Sequence, residues 1–392
     1  MRSYYKDIAE LSATVESVEE KHGHLFSTFD DTIFYPSGGG QPCDNGWIIS
    51  ENFEGEVVEV DEKEDIVHKI NSLRGKLKAG EKVLMKLNVQ RRVSLVRMHT
   101  GEHIFFKSLQ TILPSALIDK IDLDEAESKL FIFADKLSWK EIFEAEIIAN
   151  KIISQNRDIT EIEYSKEDAL KLEGLRIKPE RIPGNVVRVI RVEGFDLSAC
   201  RGIHAHNTGI VGNIFISGFS KTGKGAEIRF KTNIGPELFA YSAILRESAS
   251  LLGTNVAEVP AFIIKMQNEI SDLKSKFRDV AAKLLLNANI EEINGKKFIW
   301  NVAEGLDNKQ LSDAAMKLCK QDCVVAFVNK GETNSIIIAS AIDTGIDAAN
   351  VLQQALKEFN GKGGGRERFA SGSFSGSVET FIGNLKELIE NS

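Results

Sequence analysis

Arg97-Met98-His99-Thr100-Gly101-Glu102-His103-Ile104-Phe105-Phe106 sets two imidazoles four residues apart, with apolar residues directly behind them. On a helix, positions i and i+4 share one face a turn apart, so both rings can reach a single metal ion. The chain has only seven histidines in 392 residues, which makes a chance pair at this spacing a poor explanation. A second cluster, Cys200-Arg201-Gly202-Ile203-His204, supplies a thiolate and an imidazole at similar spacing. Two His with a Cys and a further His form an ordinary tetrahedral zinc set. The roughly hundred residues between the clusters are enough to fold back and close it. The bland alternative is a satisfied core His pair and a buried, inert Cys.

The rest of the chain bounds what such a site can serve. A length of 392 residues suits two to four domains, each with its own core. Apolar and charged fractions of 42% and 27% argue against disorder. The start, Met1-Arg2-Ser3-Tyr4-Tyr5-Lys6-Asp7, has no apolar signal region, and no apolar run approaches a membrane span. Four cysteines without a disulfide-like framework fit a reducing compartment, so the cytoplasm is expected. A net charge of −8 argues mildly against nucleic acid, yet basic residues cluster. One group is Lys69, Arg74, Lys76, Lys78, Lys82, Lys86, Arg91, Arg92 and Arg97; another is Lys171, Arg176, Lys178, Arg181, Arg188 and Arg191. Either group can equally be a solvated face.

Before about residue 90 the chain reads as β-rich, with short alternating runs such as Thr32-Ile33-Phe34-Tyr35 and Glu56-Val57-Val58-Glu59-Val60. Between strands lies Pro36-Ser37-Gly38-Gly39-Gly40-Gln41-Pro42-Cys43, whose glycines allow positive φ and close approach of backbone. It is either a tight surface loop or a loop offering Gln41 and the N–H groups of Gly39 and Gly40 to a substrate. Val83 to Phe106 reads as helix, followed by a strand at Lys129–Phe133, an amphipathic helix over 138–156 and a short helix over Ser165–Glu173. Pro179 and Pro183 mark a loop, and Val186–Val192 a strand that leads toward Cys200. Gly218-Phe219-Ser220-Lys221-Thr222-Gly223-Lys224-Gly225 nearly matches a phosphate-binding loop, but lacks the Ser or Thr after Lys224 and no helix follows. A hairpin is expected there.

Leu238, Tyr241, Leu245 and Leu252 share a helix face, and Gly253-Thr254-Asn255 ends it. Ile263, Met266, Ile270, Leu273, Phe277, Val280 and Leu284 then alternate three and four apart, a heptad seam expected to pack rather than hold a cofactor. The remaining hundred or so residues read as a separate α/β domain, with helices at Ser312–Lys320, Ala348–Phe359 and from Ser377. Cys319 and Cys323 have no His nearby and are expected to be structural. Gly361-Lys362-Gly363-Gly364-Gly365-Arg366-Glu367-Arg368 reads as a glycine-rich loop, in which free N–H groups and guanidinium suit phosphate.

Together these stretches resemble the alanyl-tRNA editing proteins, free-standing relatives of the editing half of alanyl-tRNA synthetase. The matching parts are Thr32-Ile33-Phe34-Tyr35-Pro36 with Gly39-Gly40-Gln41, Arg97-Met98-His99-Thr100-x-x-His103, and Cys200-x-Gly202-x-His204 followed by Asn207-Thr208-Gly209. Gly363-Gly364-Gly365-Arg366 is similar to the glycine-rich signature of a DHHA1 domain. The resemblance runs nearly end to end. It departs at Arg201 and Ile203, where the usual motif is Cys-Gly-Gly-Thr-His, and at Ile210, which stands where the family has a carboxylate. The expected fold class is α+β: a glycine-rich β-barrel-like domain over 1–90, a zinc-binding α/β editing domain over 91–235, a helical hairpin spacer over 236–291, and a DHHA1-like domain over 292–392.

The resemblance implies hydrolysis of the ester that joins a wrong amino acid to the 3′ end of tRNA(Ala), serine first and glycine second. It implies Zn2+ on His99, His103, Cys200 and His204, Gln41 with Gly39 and Gly40 at the reacting ester, and Thr32 reading the serine hydroxyl. It further implies that Lys362, Arg366 and Arg368 of the terminal domain hold the tRNA body. A homodimer is left open. Four protein ligands match a closed zinc site, whereas catalytic zinc usually keeps a position free. A metallopeptidase is the rival enzyme, because His99-Thr100-Gly101-Glu102-His103 also fits H-x-x-E-H. It would need a distal carboxylate from Glu173, Glu180 or Glu193. A non-catalytic tRNA-binding protein, dead at Arg201 and Ile203, is the third class.

Overall fold

The computed structural model describes residues 3–134, 136–179, 184–223 and 225–392. Glu180, Arg181, Pro183 and Lys224 lie outside the described residues, as do the side chains at 281, 282 and 286. The chain divides into two units, Met1–Ile244 and Leu245–Ser392.

In the first unit, β1 (Glu10–Lys21), β2 (His24–Phe29), β3 (Gly46–Ile49), β4 (Phe53–Glu62), β5 (Ile66–Gly75) and β6 (Lys82–Leu87) close into a barrel. Its strand order is β1-β2-β5-β4-β3-β6, and β6 pairs back onto β1. Alternation fills the interior: Phe53, Val57 and Val60 of β4 and Val83, Met85 and Leu87 of β6 are buried. Two expectations are corrected here. Val83–Leu87 is a strand, because its burial alternates residue by residue, and the helix starts only at Val89. Thr32–Tyr35 is a loop, because Ile33, Phe34 and Tyr35 are buried in succession and leave no solvent face to alternate with. Side chains hold its backbone: Thr32 Oγ1 accepts from Phe34 N at 3.1 Å, and Asp44 Oδ2 from Tyr35 N at 2.7 Å.

α1 (Val89–Ile112) is capped by Asn88, whose side chain accepts from Arg91 N at 3.2 Å. From Met98 to Phe106 every residue is buried. Around it lie β7 (Leu117–Asp122), β8 (Ser128–Phe133), α2 (Trp139–Ser154), β9 (Ile159–Ser165), α3 (Lys166–Ala169), β10 (Val186–Val192), β11 (Asp196–Ala199), β12 (Ile214–Thr222) and β13 (Gly225–Thr232). These strands form a four-stranded sheet, β12-β13-β8-β7, and a three-stranded sheet, β11-β10-β9. Gly101 lets the first sheet come close: a Cβ there would stand 2.9 Å from Thr232 Cγ2. The helix expected over Ser165–Glu173 is the single turn α3, and β9 precedes it. The Gly218–Gly225 stretch is the β12–β13 hairpin. Arg92, buried, bonds Asp44 and the Ile33 carbonyl, and so fixes the 32–45 loop to the base of α1.

α4 (Gly235–Leu251) runs across the boundary between the units. The second unit holds α5 (Val259–Leu286), β14 (Asn289–Ile293), β15 (Lys296–Glu304), α6 (Asn308–Leu318), β16 (Cys323–Lys330), β17 (Asn334–Ser340), α7 (Ala348–Glu358), β18 (Lys362–Arg366), β19 (Phe369–Phe374) and α8 (Val378–Glu390). Its six-stranded sheet runs β14-β15-β16-β17-β19-β18. Most of the α5 heptad seam is exposed, Leu273 at 65% and Ile264 beside it at 58%, so packing does not cover it along its length. α6 begins at Asn308, not Ser312, because Asp307 and Gln310 form a capping box. The expected Gly361–Arg368 loop is instead the edge strand β18, antiparallel to β19. None of Gly361, Gly363, Gly364 and Gly365 takes a positive φ. Their use is close approach: a Cβ on Gly363 would meet Gly372 Cα at 2.6 Å and Leu356 Cδ1 of α7 at 2.8 Å.

Candidate metal centre

His99 and His103 project from the buried half of α1, one turn apart as their spacing requires. Cys200 follows directly on β11, and the chain then turns back so that His204 reaches the same place. One potential ligand atom from each of His99, His103, Cys200 and His204 lies within 4.8 Å of all the others. The Cys200 Sγ to His99 Nε2 distance is 3.3 Å. That matches the edge of a tetrahedron with metal–sulfur and metal–nitrogen bonds of about 2.3 and 2.0 Å. Gly202 is what allows the second segment so close: a Cβ there would stand 2.0 Å from His99 Cε1.

Surrounding groups fix the rings. Gln41 Oε1 lies 2.8 Å from His99 Nδ1 and accepts from Ile203 N at 3.0 Å. The backbone N–H can only donate, so that end of the amide is the oxygen, and His99 carries its proton on Nδ1. Its Nε2 lone pair is left facing Cys200. Ser198 Oγ stands 2.9 Å from His103 Nδ1, and Thr100 Oγ1 stands 3.5 Å from His204 Nδ1 while accepting from Ala205 N at 3.0 Å. His204 Nε2 and Gln41 Nε2 are buried and have no hydrogen-bond partner among the described residues. Arg188 Nη1 donates to the carbonyls of Cys200 at 3.0 Å and Gly202 at 2.6 Å, holding the loop between the two ligands.

Burial sets the protonation. It holds His99 down at about 3, with the Arg188 guanidinium adding to the effect. His103 and His204 are held well below the usual imidazole range by burial and by their neighbouring rings. All three are therefore neutral near pH 7, the state in which imidazole binds metal. Burial pushes the Cys200 thiol up to about 11, so a cation beside it is what would favour its thiolate. The donor set, its orphaned His204 nitrogen and its outer hydrogen bonds fit a zinc-type ion.

Of the other expected site residues, the structure brings Gln41 into this cluster and leaves Thr32 in the barrel. His68 Nδ1 lies 3.3 Å from the Ser27 carbonyl, so its Nε2 accepts, and the Thr32 hydroxyl donates to it at 2.8 Å. Gly39 and Gly40, at φ +62° and +88°, form the two-residue turn between Gly38 and Gln41, which pair as an isolated bridge. Lys362 and Arg366 are exposed on β18, and Arg368 in the turn after it. No carboxylate joins the four-residue group among the described residues, and Glu173 and Glu193 are exposed. Burial raises Glu102 to about 7, with Asp196 adding and Arg176 opposing, and it lies 3.8 Å from His103 Nε2. Ser198, Thr100 and Arg188 were not expected at the site. The spacing holds a hint of Ser198 alone, which shares a strand face with Cys200 two residues on.

The sequence model described as "tRNA synthetases class II (A)" matches residues 4–91, "Threonyl and Alanyl tRNA synthetase second additional domain" residues 187–229, and "DHHA1 domain" residues 295–391. The Alanyl-tRNA editing protein AlaX-L of Pyrococcus horikoshii is 29% identical over 96% of this chain and 95% of its own. The Alanine–tRNA ligase of Methanobrevibacter smithii is 28% identical over 94% of this chain and 43% of the ligase. The chain thus spans less than half the length of such ligases. Among solved structures, the C-Ala domain of Aquifex aeolicus alanyl-tRNA synthetase is similar at 22% identity, covering 26% of this chain and 98% of that one, with a TM-score of 0.25.

Proposed function

We propose that this chain, which belongs to the alanyl-tRNA editing family, is a cytoplasmic aminoacyl-tRNA deacylase that hydrolyses mischarged tRNA(Ala), carrying serine or glycine. One observation carries the proposal: a buried, unpartnered amide donor, Gln41 Nε2, belongs to the same side chain that orients a ring of a four-donor metal cluster. His99, His103, Cys200 and His204 would hold zinc, which when bound supplies Lewis acidity to an ester.

The protein's own residues do the rest. Gln41 keeps His99 in the metal-binding tautomer and offers Nε2 to the negative charge that develops on the ester oxygen. The Gly39 and Gly40 turn presents further backbone donors beside it. Arg188 and Gly202 fix the Cys200–His204 segment, so the donors need not reorganise on binding. Thr32 is assigned to the serine hydroxyl. Its own hydroxyl proton goes to His68 and one lone pair to Phe34 N, so a second lone pair is what it has to offer. A site that hydrogen-bonds serine rejects alanine because its polar group would be left unpaired.

The rivals fit less well. A peptidase of the H-x-x-E-H type needs a distal carboxylate, and the cluster is completed by Cys200 and His204 instead. A site dead at Arg201 and Ile203 would need those side chains to intrude on the donors. Arg201 pairs with Glu62, its side chain 62% exposed, and Ile203 packs into the barrel core. Deacylation of Ser-, Gly- and Ala-charged tRNA(Ala), run side by side, tests the proposal. Hydrolysis of the first two with Ala-tRNA spared is expected; release of none of the three would sink it.

A further inference from the structure

Beside the metal cluster is a cleft of about 80 Å³ lined by Tyr5, Tyr35, Gly38, Gly39, Glu62 and Arg201, among others. Two of its walls are direct chain neighbours of the cluster: Gly38–Gly39 leads to Gln41, and Arg201 stands between Cys200 and Gly202. Its backbone is rigid there. Three successive carbonyls are held, those of Cys200 and Gly202 by Arg188 and that of Arg201 by Tyr5 Oη at 2.8 Å. The Arg201 side chain is the contrast. It is 62% exposed and held by one carboxylate, Glu62 at the end of β4, at 2.6 Å. The pair is open to solvent on the Arg201 side, with Glu62 25% exposed, so an incoming anion can reach the guanidinium and exchange for the carboxylate.

The size limits what enters. About 80 Å³ gives room for roughly two or three waters, a phosphate-sized group. Pockets that enclose a whole small ligand start at about 300 Å³, so a nucleoside does not fit. A guanidinium recognises phosphate oxygens through paired N–H donors. Gly38 and Gly39 line the same cleft without side chains, and a Cβ on Gly39 would meet nothing within 4 Å, which leaves a phosphate room to approach Arg201. We infer that this cleft receives the phosphodiester on the 5′ side of the acylated terminal nucleoside, with Arg201 as the positioning residue that leaves Glu62 to hold it. The inference rests on the deacylase reading and adds to it the group that anchors the substrate end. It also gives Arg201, a departure from the family motif, a task of its own.

The test uses the full zinc-loaded chain and two small esters, 3′-O-seryl adenosine and the 3′-O-seryl ester of the dinucleotide CpA, which adds the phosphodiester. The wild-type protein should show the lower KM for the dinucleotide ester. Arg201→Gln should raise that KM about tenfold, with kcat, zinc content and the KM for the nucleoside ester kept. Arg201→Lys should recover part of the loss, and Glu62→Gln, which frees Arg201, should lower the dinucleotide KM. Equal losses on both esters, or loss of zinc in Arg201→Gln, would show that Arg201 acts through Cys200 and overturn the inference. Calorimetric binding of uncharged CpA separates the two ideas. If wild-type protein cleaves neither ester, the deacylase reading fails; CpA binding that Arg201→Gln leaves unchanged overturns the phosphate site whatever the activity.

Discussion

Gln41 Oε1 stands 2.8 Å from His99 Nδ1 while accepting the Ile203 N–H at 3.0 Å. One amide therefore joins three pieces of chain: the glycine turn, the buried half of α1 and the Cys200–His204 segment. Replacing Gln41 by Ala removes both the ring's orientation and the spare Nε2 donor. Zinc affinity, measured by chelator competition, should fall about 10–100-fold. At saturating zinc the single-turnover deacylation rate should still be down by about 10²–10³. A variant with wild-type affinity and rate would remove Gln41 from the site.

Gly202→Ala probes the same joint from the other side. Its Cβ would stand 2.0 Å from His99 Cε1 and 2.7 Å from Gln41 Oε1. The segment must shift, at a cost of about 1–3 kcal/mol of stability, and the donors should lose register. The wild-type chain is expected to bind about one zinc, a count set by the single four-donor cluster among the described residues, and Gly202→Ala much less under the same dialysis. Full occupancy in Gly202→Ala, or in a His99→Ala, His103→Ala double variant, would refute the four-ligand assignment.

The metal cluster was legible because spacing carries it: i, i+4 on α1 and a short Cys–His segment elsewhere both survive translation into geometry. The outer residues were not legible for a physical reason. Arg188 reaches the Cys200 and Gly202 carbonyls only because β10 pairs with β11, and Ser198 meets His103 from 95 residues away; beyond the position of Ser198 two residues before Cys200, nothing local marks them. Turn and strand confusions have the same origin. Gly363–Gly365 looks like loop chemistry, yet α7 presses on it and the glycines serve contact, while Thr32–Tyr35 has strand composition but is buried on all sides. The barrel's alternation, by contrast, was plain in β4.

Thr32→Val separates structure from recognition. Deleting the hydroxyl leaves His68 Nε2 without a donor inside the barrel, which should cost about 1–3 kcal/mol in denaturant unfolding. If Thr32 also reads serine, Ser-tRNA hydrolysis should fall more than Gly-tRNA hydrolysis, by a comparable free energy at the transition state. Equal losses on the two substrates would confine Thr32 to its partnership with His68.

His68 itself makes stability depend on pH. Burial lowers its pKa to about 4, despite the Ser27 and Ile66 carbonyls that favour its charged form. The unfolded chain binds that proton at the usual imidazole value near 6.5, so between the two values the unfolded state holds more protons. Its stabilising contribution is thus complete above about pH 6.5 and is lost as pH falls toward 4, about 3 kcal/mol in all. Urea midpoints taken between pH 4 and 7 should show this slope, reduced in His68→Leu. An unchanged slope in the variant would assign the acid sensitivity elsewhere.

On the deacylase reading, a chain of net charge −8 has to hold a polyanion. Bulk charge repels tRNA, so attraction must come from local cations on a surface the backbone can approach. β18 provides one: an edge strand of glycines, with Lys362, Arg366 and Arg368 exposed along it and in its turn. At Gly364 an added Cβ would meet nothing within 4 Å, so a phosphate can come close to the strand there while the flanking cations pair with it. Each neutralised phosphate releases counterions, and the salt slope counts them. Changing all three residues to Gln should raise KM for charged tRNA and flatten the slope of log binding constant against log salt by about 2–3. The rate of hydrolysis once tRNA is bound should hold, because none of the three belongs to the four-donor cluster or to the hydrogen bonds that Gln41 makes there. A triple variant with the wild-type slope would show that tRNA is held elsewhere, with the Lys69–Arg97 group as the next surface to change.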